Sequence, residues 1–285
     1  ARVLPGVAPN FSLENQANIK YSSLLGTGAD NTNPTGSTIE NNPSGDPQGD
    51  RNGVDPGGTA NDYNSTDVAA ITTTVLNPVK SLVNTSETDT AGNNLTIGEI
   101  ARYRLVVQIP EGNTDNLQIA DLLPSGLRYL DDSSTKIALI SEGGLVSSTI
   151  TDGDPGASPN LASSNPSVTP DFDLPPGAIA EENPDNNFAA GENPIFSLGN
   201  LTNTDNDLNS EFVVIEFNAI VENVASNQDP GTLDNQFNVT ATNTDLNSNV
   251  VSINLVEPAI NTVDIQTDIQ RADAGDTVNF TVTYT

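Results

Sequence analysis

The side chains of this sequence that could take part in chemistry are almost all carboxylates. Asp and Glu number 38 against 9 Lys and Arg, which gives a formal net charge of −29, and the chain contains no His, Cys, Met or Trp. The usual thiol nucleophile, imidazole base and Cys/His zinc site are therefore all missing. What remains is a supply of hard oxygen donors, and these suit a divalent cation such as Ca²⁺.

Several short segments bring acidic residues close together in sequence, so that their oxygens could converge on one calcium ion. The densest cluster is Asp205, Asp207 and Glu211 in the segment NTDNDLNSE. The further candidate ligands are Asp152, Asp154, Asp171 and Asp173, with Asp131 and Asp132 as an additional acidic pair. None of these segments has the complete EF-hand pattern, and a solvated acidic turn is the alternative at each. The sequence thus predicts Ca²⁺ as the cofactor, with the first cluster as its best candidate site.

Composition also limits the function classes. A chain this acidic lacks the basic surface that nucleic acids and anionic membranes require. No apolar run is long enough for a membrane span. Paired carboxylates could hydrolyse glycosides, but glycosidase clefts are usually lined with aromatic residues, and this chain has no Trp, 5 Tyr and 8 Phe. We therefore expect a non-enzymatic protein, and the lack of oxidisable side chains fits an extracellular or cell-surface location.

The hydrophobic pattern is that of β-strands throughout. The stretch 98–130 reads as strand, Pro-Gly turn, strand and further turn, and the segment EFVVIEFNAIVENV at 211–224 is the clearest strand in the chain. Helical periodicity is nowhere sustained over three turns. Two segments, 26–66 and 147–193, are rich in Gly, Asn, Asp, Ser and Pro and are predicted to be long irregular loops.

Internal repetition divides the chain. Gly98, Tyr103 and Leu105 recur with the same spacing as Gly275, Phe280 and Val282, and the segment LENQANI at 13–19 recurs as LDNQFNV at 233–239. The first motif opens a unit and the second closes one. The predicted organisation is the C-terminal part of a β-sandwich module at 1–76, a complete module at 77–257 and the opening strands of a further module at 258–285.

The segments GEIARYRLVVQIPEG, IADLLPSGLRYL and DAGDTVNFTVTYT resemble the immunoglobulin-like repeat domains found in tandem on large bacterial and archaeal surface proteins. The resemblance covers 78–257 and both partial modules. It implies an all-β fold made of tandem immunoglobulin-like β-sandwich modules with long irregular acidic loops. It also implies a secreted, cell-surface or fibre-forming protein.

A subset of these domains, in fimbrial subunits, forms an intramolecular isopeptide bond between a Lys on the first strand and an Asn on the last, assisted by a buried carboxyl group. By this resemblance the matching residues are Lys80, Asn235 and Asp121, with Glu216 as an alternative carboxyl. The alternative interpretation is a partly exposed Lys and a structural Asn. The third module opens with PAINTVDIQ, which has no Lys at the corresponding place.

The function expected from the sequence is structural. The chain is predicted to form or extend an extracellular fibre, fimbria-like filament or surface layer, stiffened by calcium and completed by pairing with adjoining modules or other copies of itself. The alternative is an adhesin whose long loops bind a surface receptor or glycan. No nucleic acid partner is expected.

Overall fold

A computed structural model describes residues 3, 7, 9–21, 63–90, 92–151, 158–183, 187–205, 207–257 and 260–285. The strands in these residues are β1 Ser12–Tyr21, β2 Tyr63–Thr72, β3 Asn77–Thr85, β4 Asn94–Leu95, β5 Ile100–Ile109, β6 Gly112–Leu122, β7 Leu127–Tyr129, β8 Lys136–Ile140, β9 Leu145–Ser147, β10 Asn160–Leu161, β11 Phe172–Asp173, β12 Ile179–Glu181, β13 Pro194–Asn203, β14 Glu211–Val221, β15 Gly231–Ala241, β16 Thr244–Asn247, β17 Val251–Leu255, β18 Val263–Thr267 and β19 Phe280–Tyr284. No membrane-spanning helix occurs in this described part of the chain.

Strands β3 to β17 build a two-sheet sandwich. One sheet has the order β10-β8-β14-β5-β3, with β7 and β11 attached, and the other has the order β12-β13-β6-β15-β17-β4, with β9 and β16 attached. Phe217 of the first sheet and Phe196 of the second pack in the interior with ring centroids 5.9 Å apart. The all-β sandwich fold predicted from the sequence is confirmed.

Alternation of residue types explains why the central strands form. On β5, every second residue from Ala101 to Ile109 is buried, and the intervening residues are only partly covered. Strand β14 pairs with β5 along ten residues, with Phe217 opposite Tyr103 and Ile215 opposite Leu105. This places bulky side chains of neighbouring strands side by side on the face that meets the second sheet.

The first part of the Pro-rich segment, 158–168, lies over the outer face of the first sheet. Val214 on β14 is buried there together with Ala138 and Ile140, and Leu161 and Val168 of the segment pack against this cluster. Arg104 also donates a hydrogen bond to the carbonyl oxygen of Pro166 at 3.1 Å. This part of the predicted irregular loop thus covers the sheet. Further along the loop, β11 pairs with β8 of the same sheet, as β10 does, whereas β12 pairs with β13 of the second sheet.

Two further sheets contain only two strands each. One is the β1–β2 ribbon, which belongs to a compact unit spanning 10–74, and the other is the β18–β19 ribbon. Most of the predicted loop at 26–66 lies outside the described residues. The β1–β2 ribbon repeats a strand pairing of the sandwich. Leu13, the first residue of the LENQANI motif, pairs with Ile71, and Leu233, the first residue of the repeated motif, pairs with Ile253.

The opening turn of the repeat recurs in detail. Gly98 and Gly275 both have positive φ, 88° and 104°. The residue after each glycine is acidic, and its side-chain carboxylate accepts a hydrogen bond from the backbone N–H three residues earlier. The Glu99 carboxylate accepts from Thr96 at 3.0 Å, and the Asp276 carboxylate accepts from Asp273 at 2.7 Å. Glycine is favoured here because L side chains rarely adopt this φ.

Candidate functional site

Lys80 lies on β3, the edge strand of the first sheet, and its side chain points into the sandwich. The burial pattern of β3 makes Lys80 its one buried residue, with 2% of its surface exposed. Its Nζ contacts the Oδ2 of Asp121, which lies on β6 of the opposite sheet, and both side chains are 0% exposed. A lysine is almost never buried to this extent unless it is paired.

Asn235 lies in the interior of the sandwich, next to this pair. Strand β15 places Phe237 directly opposite Asp121 on β6. Asn235 is two residues before Phe237, so its side chain leaves the same face of the sheet, and it is fully buried. The structure therefore brings together Lys80, Asp121 and Asn235, the three residues that the resemblance selected from three distant parts of the sequence.

Aromatic rings enclose the lysine amine. The Nζ of Lys80 lies 4.6 Å from the ring centroid of Tyr103, 5.5 Å from that of Phe217 and 6.0 Å from that of Phe237. Such a surrounding has a low dielectric constant, which disfavours charge on any group that is not fully paired.

Burial controls the pKa values of the Lys80–Asp121 pair. It lowers the pKa of Lys80, and the neighbouring Asp121 opposes this shift only in part. It raises the pKa of Asp121, against the smaller lowering by Lys80 and by the Asn235 side chain. Both directions favour a neutral amine next to a protonated carboxyl group. A neutral amine is the nucleophilic form of lysine.

Several polar atoms at this position are not hydrogen bonded. Among the described residues, Oδ1 of Asp121 and both Nδ2 and Oδ1 of Asn235 have no hydrogen-bond partner. A buried polar group without a partner costs about 1–3 kcal/mol. Native proteins contain few such groups, and a catalytic role is one of the recognised reasons for them. The Asn235 carboxamide is thus held in an apolar core beside a nucleophile and an acid.

Asn249 fixes the backbone of Lys80. Its Oδ1 accepts a hydrogen bond from the Lys80 backbone N–H at 2.8 Å, and its Nδ2 donates to the Lys80 carbonyl at 3.0 Å. The side chain thereby takes the place of a neighbouring strand on the free edge of β3. Sequence reasoning missed this residue, because nothing in the local segment NSNV distinguishes it from an ordinary turn asparagine.

Glu216, the alternative carboxyl, does not contact Lys80. It lies on the outer face of β14, where its side chain is 2% exposed and pairs with Arg102 at 2.8 Å and Arg104 at 2.5 Å. The two arginines satisfy both carboxylate oxygens. The structure therefore gives Glu216 a different role, in an ion-pair network beneath the Pro-rich cover.

The calcium candidates are described only in part. Asp205 accepts a hydrogen bond from Ser141 Oγ at 3.0 Å, Asp207 accepts one from the Asn209 backbone at 2.6 Å, and Glu211 accepts one from Asn203 Nδ2 at 2.8 Å. Burial raises the pKa of Glu211, although the Asn203 hydrogen bond lowers it.

The remaining candidates are dispersed. Asp173 pairs with Lys136, and Asp132 accepts hydrogen bonds from the backbone of Ser134 and from Asn218. Asp152 and Asp154 lie outside the described residues. In the part of the chain that is described, no three acidic side chains converge in a way that could hold a metal ion. Calcium binding, including any role for Asp131 or Asp171, stays a prediction.

No protein-family model and no curated protein sequence matches the chain. Solved structures do match parts of it. The N-terminal domain of the Streptococcus gordonii adhesin Sgo0707 is 11% identical over 69% of this chain and 36% of that structure, with a TM-score of 0.40. The pilus backbone protein RrgB of Streptococcus pneumoniae is 16% identical over 58% of this chain and 31% of its own, with a TM-score of 0.32.

A third structure, the C-terminal domain of the Streptococcus pyogenes antigen I/II-family protein AspA, is 15% identical over 67% of this chain and 53% of its own, with a TM-score of 0.40. The chain thus spans between 31% and 53% of the length of these three structures. The function proposed for this chain rests on the residues of the Lys80 site.

Proposed function

We propose that this chain is a non-enzymatic structural protein of an extracellular fibre or surface layer, and that its sandwich locks itself with an isopeptide bond between Lys80 and Asn235. One observation carries this proposal: Lys80, Asp121 and Asn235 meet in a core shielded from solvent, with burial favouring the neutral amine and the protonated acid. Asp121 supplies the acid–base function, because its carboxyl group contacts the amine directly.

The reaction is an exchange of one amine for another at a carboxamide. Lys80 Nζ, as a neutral amine, attacks Cγ of Asn235, and the new N–C bond forms as the bond from Cγ to Nδ2 breaks. Asp121, which starts protonated, delivers its proton to the departing nitrogen and takes one from the attacking nitrogen. One ammonia leaves, no oxidant or reductant is consumed, and Asp121 ends in its starting protonation state.

Such a bond suits a protein of this composition. The chain has no Cys, so it cannot use disulfides to restrict its unfolded state. A covalent bond between residues 80 and 235 encloses the strands β4 to β14 and links the edge strand of one sheet to a central strand of the other. Rigidity of this kind is what a surface protein under tension needs.

Intact-mass spectrometry tests the bond directly. We expect the purified protein to weigh about 17 Da less than its sequence, the mass of one ammonia. Lys80→Ala and Asn235→Ala should each restore the mass calculated for the unreacted variant. Lys136→Ala is the matched control, because Lys136 pairs with Asp173 at the surface and should leave the ammonia loss intact. A wild-type protein of unreduced mass contradicts the bond.

The β18–β19 ribbon supports association with adjoining modules or other copies. Cross-strand pairing puts Val263 opposite Tyr284 and Ile265 opposite Val282, so the apolar side chains share one face of the ribbon, and each is more than half exposed. An exposed apolar sheet face of this kind is typical of an interaction surface.

Electron micrographs and light scattering test this association. We expect filaments or concentration-dependent oligomers of the wild type, and a shift to monomers when Val282→Asp places a charge on the apolar face. Thr281→Asp, on the opposite face of the same strand, is the control. Monomers of the wild type at all concentrations would contradict association of copies.

A cleft favours the alternative function, an adhesin. It has a volume of about 470 Å³ and is lined by Asp131, Leu174, Pro176, Ile179 and Phe188 among others. Glycan or receptor binding that is lost in Leu174→Asp, with no change in the ammonia loss, would support this second function.

Calcium is tested separately, since chelation should lower the melting temperature by several degrees if the acidic loops bind the ion.

A further inference from the structure

Tyr103 carries a buried hydroxyl group that the sandwich fold itself does not need. The residue is fully buried on the inner face of β5, and its oxygen has no hydrogen-bond partner among the described residues. A phenylalanine would fill the same space without burying a hydroxyl. The other large tyrosine of this core, Tyr129, is different, because its hydroxyl lies 2.6 Å from Thr135 Oγ1.

The Tyr103 side chain lies next to all three residues of the proposed bond. Lys80 Nζ lies 4.6 Å from the Tyr103 ring centroid. Burial raises the pKa of Tyr103, the Asp121 carboxyl raises it further, and the Asn235 side chain lowers it. Tyr103 therefore keeps its proton and can donate it in a hydrogen bond. The acceptors without a partner around it, in the described residues, are Oδ1 of Asp121 and Oδ1 of Asn235.

The internal repeat gives an independent observation. Phe280 stands at the position of the repeated strand that is equivalent to Tyr103. In the same ribbon Ile265 pairs with Val282, the equivalent of Leu105, whereas Lys80 pairs with Leu105 in the sandwich. Ile265 thus holds the lysine position. The copy of the strand pair that lacks the amine also lacks the hydroxyl.

We propose that the Tyr103 hydroxyl donates a hydrogen bond to the Asn235 carboxamide oxygen and stabilises the negative charge that develops there when Lys80 attacks. Tyr103 keeps its proton throughout, so the balance of the reaction is unchanged: the N–C bond forms, the Cγ–Nδ2 bond breaks and ammonia leaves. In the apolar core a single preorganised donor of this kind has a large effect, because no water competes with it. This inference rests on the proposed isopeptide bond and assigns a residue to its formation.

The test is the rate of ammonia loss in Tyr103→Phe, followed by intact mass from the moment of purification. Removing one donor to a developing oxyanion typically slows a reaction about 10²–10³-fold, so this variant should be isolated largely unreacted and lose ammonia slowly. Tyr129→Phe is the matched control: it also removes one buried hydroxyl from the same core, and it should be fully reacted at isolation.

A second measurement separates a chemical role from a structural one. In the Asn235→Ala background, where no bond can form, adding Tyr103→Phe should leave the melting temperature unchanged or raise it, because an unpaired hydroxyl is removed. Slow ammonia loss together with an undiminished melting temperature supports the proposal. A lower melting temperature that accounts for the slow reaction would overturn it.

Two other outcomes are decisive. If the wild type loses ammonia and Tyr103→Phe does so at the same rate, the hydroxyl has no role while the bond stands. If the wild type never loses ammonia, the bond itself fails and this inference fails with it. Should Tyr103→Phe not fold, site-specific 3,5-difluorotyrosine at 103 keeps the ring and strengthens the donor, and an unchanged rate there would equally overturn the proposal.

Discussion

The side chain of Asn249 bonds to both backbone polar groups of Lys80, accepting from the N–H at 2.8 Å and donating to the carbonyl at 3.0 Å. This pair of contacts holds the nucleophile's Cα in place on an edge strand that, among the described strands, has no neighbour on that side. The reaction proposed for Lys80 needs such positioning, because small displacements of a nucleophile cost large factors in rate.

Asn249→Ala should therefore lower both stability and the rate of ammonia loss. Loss of two hydrogen bonds to backbone groups is expected to cost about 1–3 kcal/mol in the free energy of unfolding. The rate, measured by intact mass, should fall while the final mass remains about 17 Da below the sequence mass. Asn254→Ala, which removes a hydrogen bond to Asn94 at 3.1 Å, is the control and should react at the wild-type rate.

Asp121→Asn should leave the protein folded and unreacted. The substitution preserves the shape of the side chain, but it removes the carboxyl group that exchanges protons with the lysine amine. Intact mass should match the unreacted variant, with circular dichroism confirming β structure. Asp173→Asn removes the surface partner of Lys136 and should still lose ammonia. An Asp121→Asn protein that reacts at the wild-type rate would remove Asp121 from the mechanism.

Asn235→Ala should lower the melting temperature substantially. A covalent link from 80 to 235 closes a loop of roughly 155 residues, and the loop-closure entropy of an equivalent disulfide corresponds to about 5 kcal/mol. For a sandwich of this size that predicts a decrease of about 10–20 °C, measured by calorimetry. Asn238→Ala, on the same strand but with side-chain hydrogen bonds to Asp245 and Asn247, should lower it by only a few degrees.

In the Asn235→Ala variant, which cannot form the isopeptide bond, we expect the stability to depend on pH in a particular way. Burial lowers the pKa of Lys80 and raises the pKa of Asp121. Because the unfolded state binds the amine proton more readily, the contribution of Lys80 to stability falls as the pH decreases below the ordinary pKa of 10.5. Because the folded state binds the carboxyl proton more readily, the contribution of Asp121 falls as the pH increases above the ordinary pKa of 3.8. The two slopes have opposite signs, so the contribution of the pair to stability should be flat near neutral pH, where both act.

Chemical denaturation at a series of pH values measures that contribution. It is the difference in the free energy of unfolding between Asn235→Ala and a variant that also carries Lys80→Met and Asp121→Asn. Subtraction removes the titration of the other carboxylates. A slope near neutral pH in the difference would show that one of the two groups titrates alone in the folded protein.

Glu216→Ala separates stability from chemistry. The carboxylate is buried between Arg102 and Arg104, and removing one partner of a buried ion-pair network typically costs about 3–5 kcal/mol. Since Glu216 does not contact Lys80, the folded variant should still lose ammonia. An unreacted, folded Glu216→Ala protein would return this residue to the mechanism as the alternative carboxyl.

The strands and the register of the repeat were predictable because their signals are local. Alternation on β5 identifies the buried face of that strand directly, and the positive φ of Gly98 and Gly275 explains why the same turn sequence recurs. We identified Lys80, Asp121 and Asn235 from the resemblance to immunoglobulin-like repeat domains. The sequences of the individual strands do not indicate which residues contact each other between the two sheets.

The features that could not be predicted from the sequence depend on contacts between distant segments. The hydrogen bond between Asn249 and Lys80 spans 169 residues, and the pairing of Glu216 with the two arginines spans 112 to 114. The Pro-rich segment looks irregular in sequence, but Leu161 and Val168 bury part of a sheet. One signal for Tyr103 was available: the repeat substitutes Phe280 for it in the strand pair where Ile265 holds the lysine position.

Joining β3 to β15 would also change which bonds carry tension when the chain is pulled from its ends. Force would enter the sandwich at Lys80, cross the amide to Asn235 and leave through β17, so the strands between these two residues would bear none of it. The sandwich would behave as an inextensible link. The β18–β19 ribbon, with Ile265 in place of the lysine, is held by hydrogen bonds without a covalent cross-link of this kind and would yield first. Stiff and compliant segments would then alternate along one polypeptide.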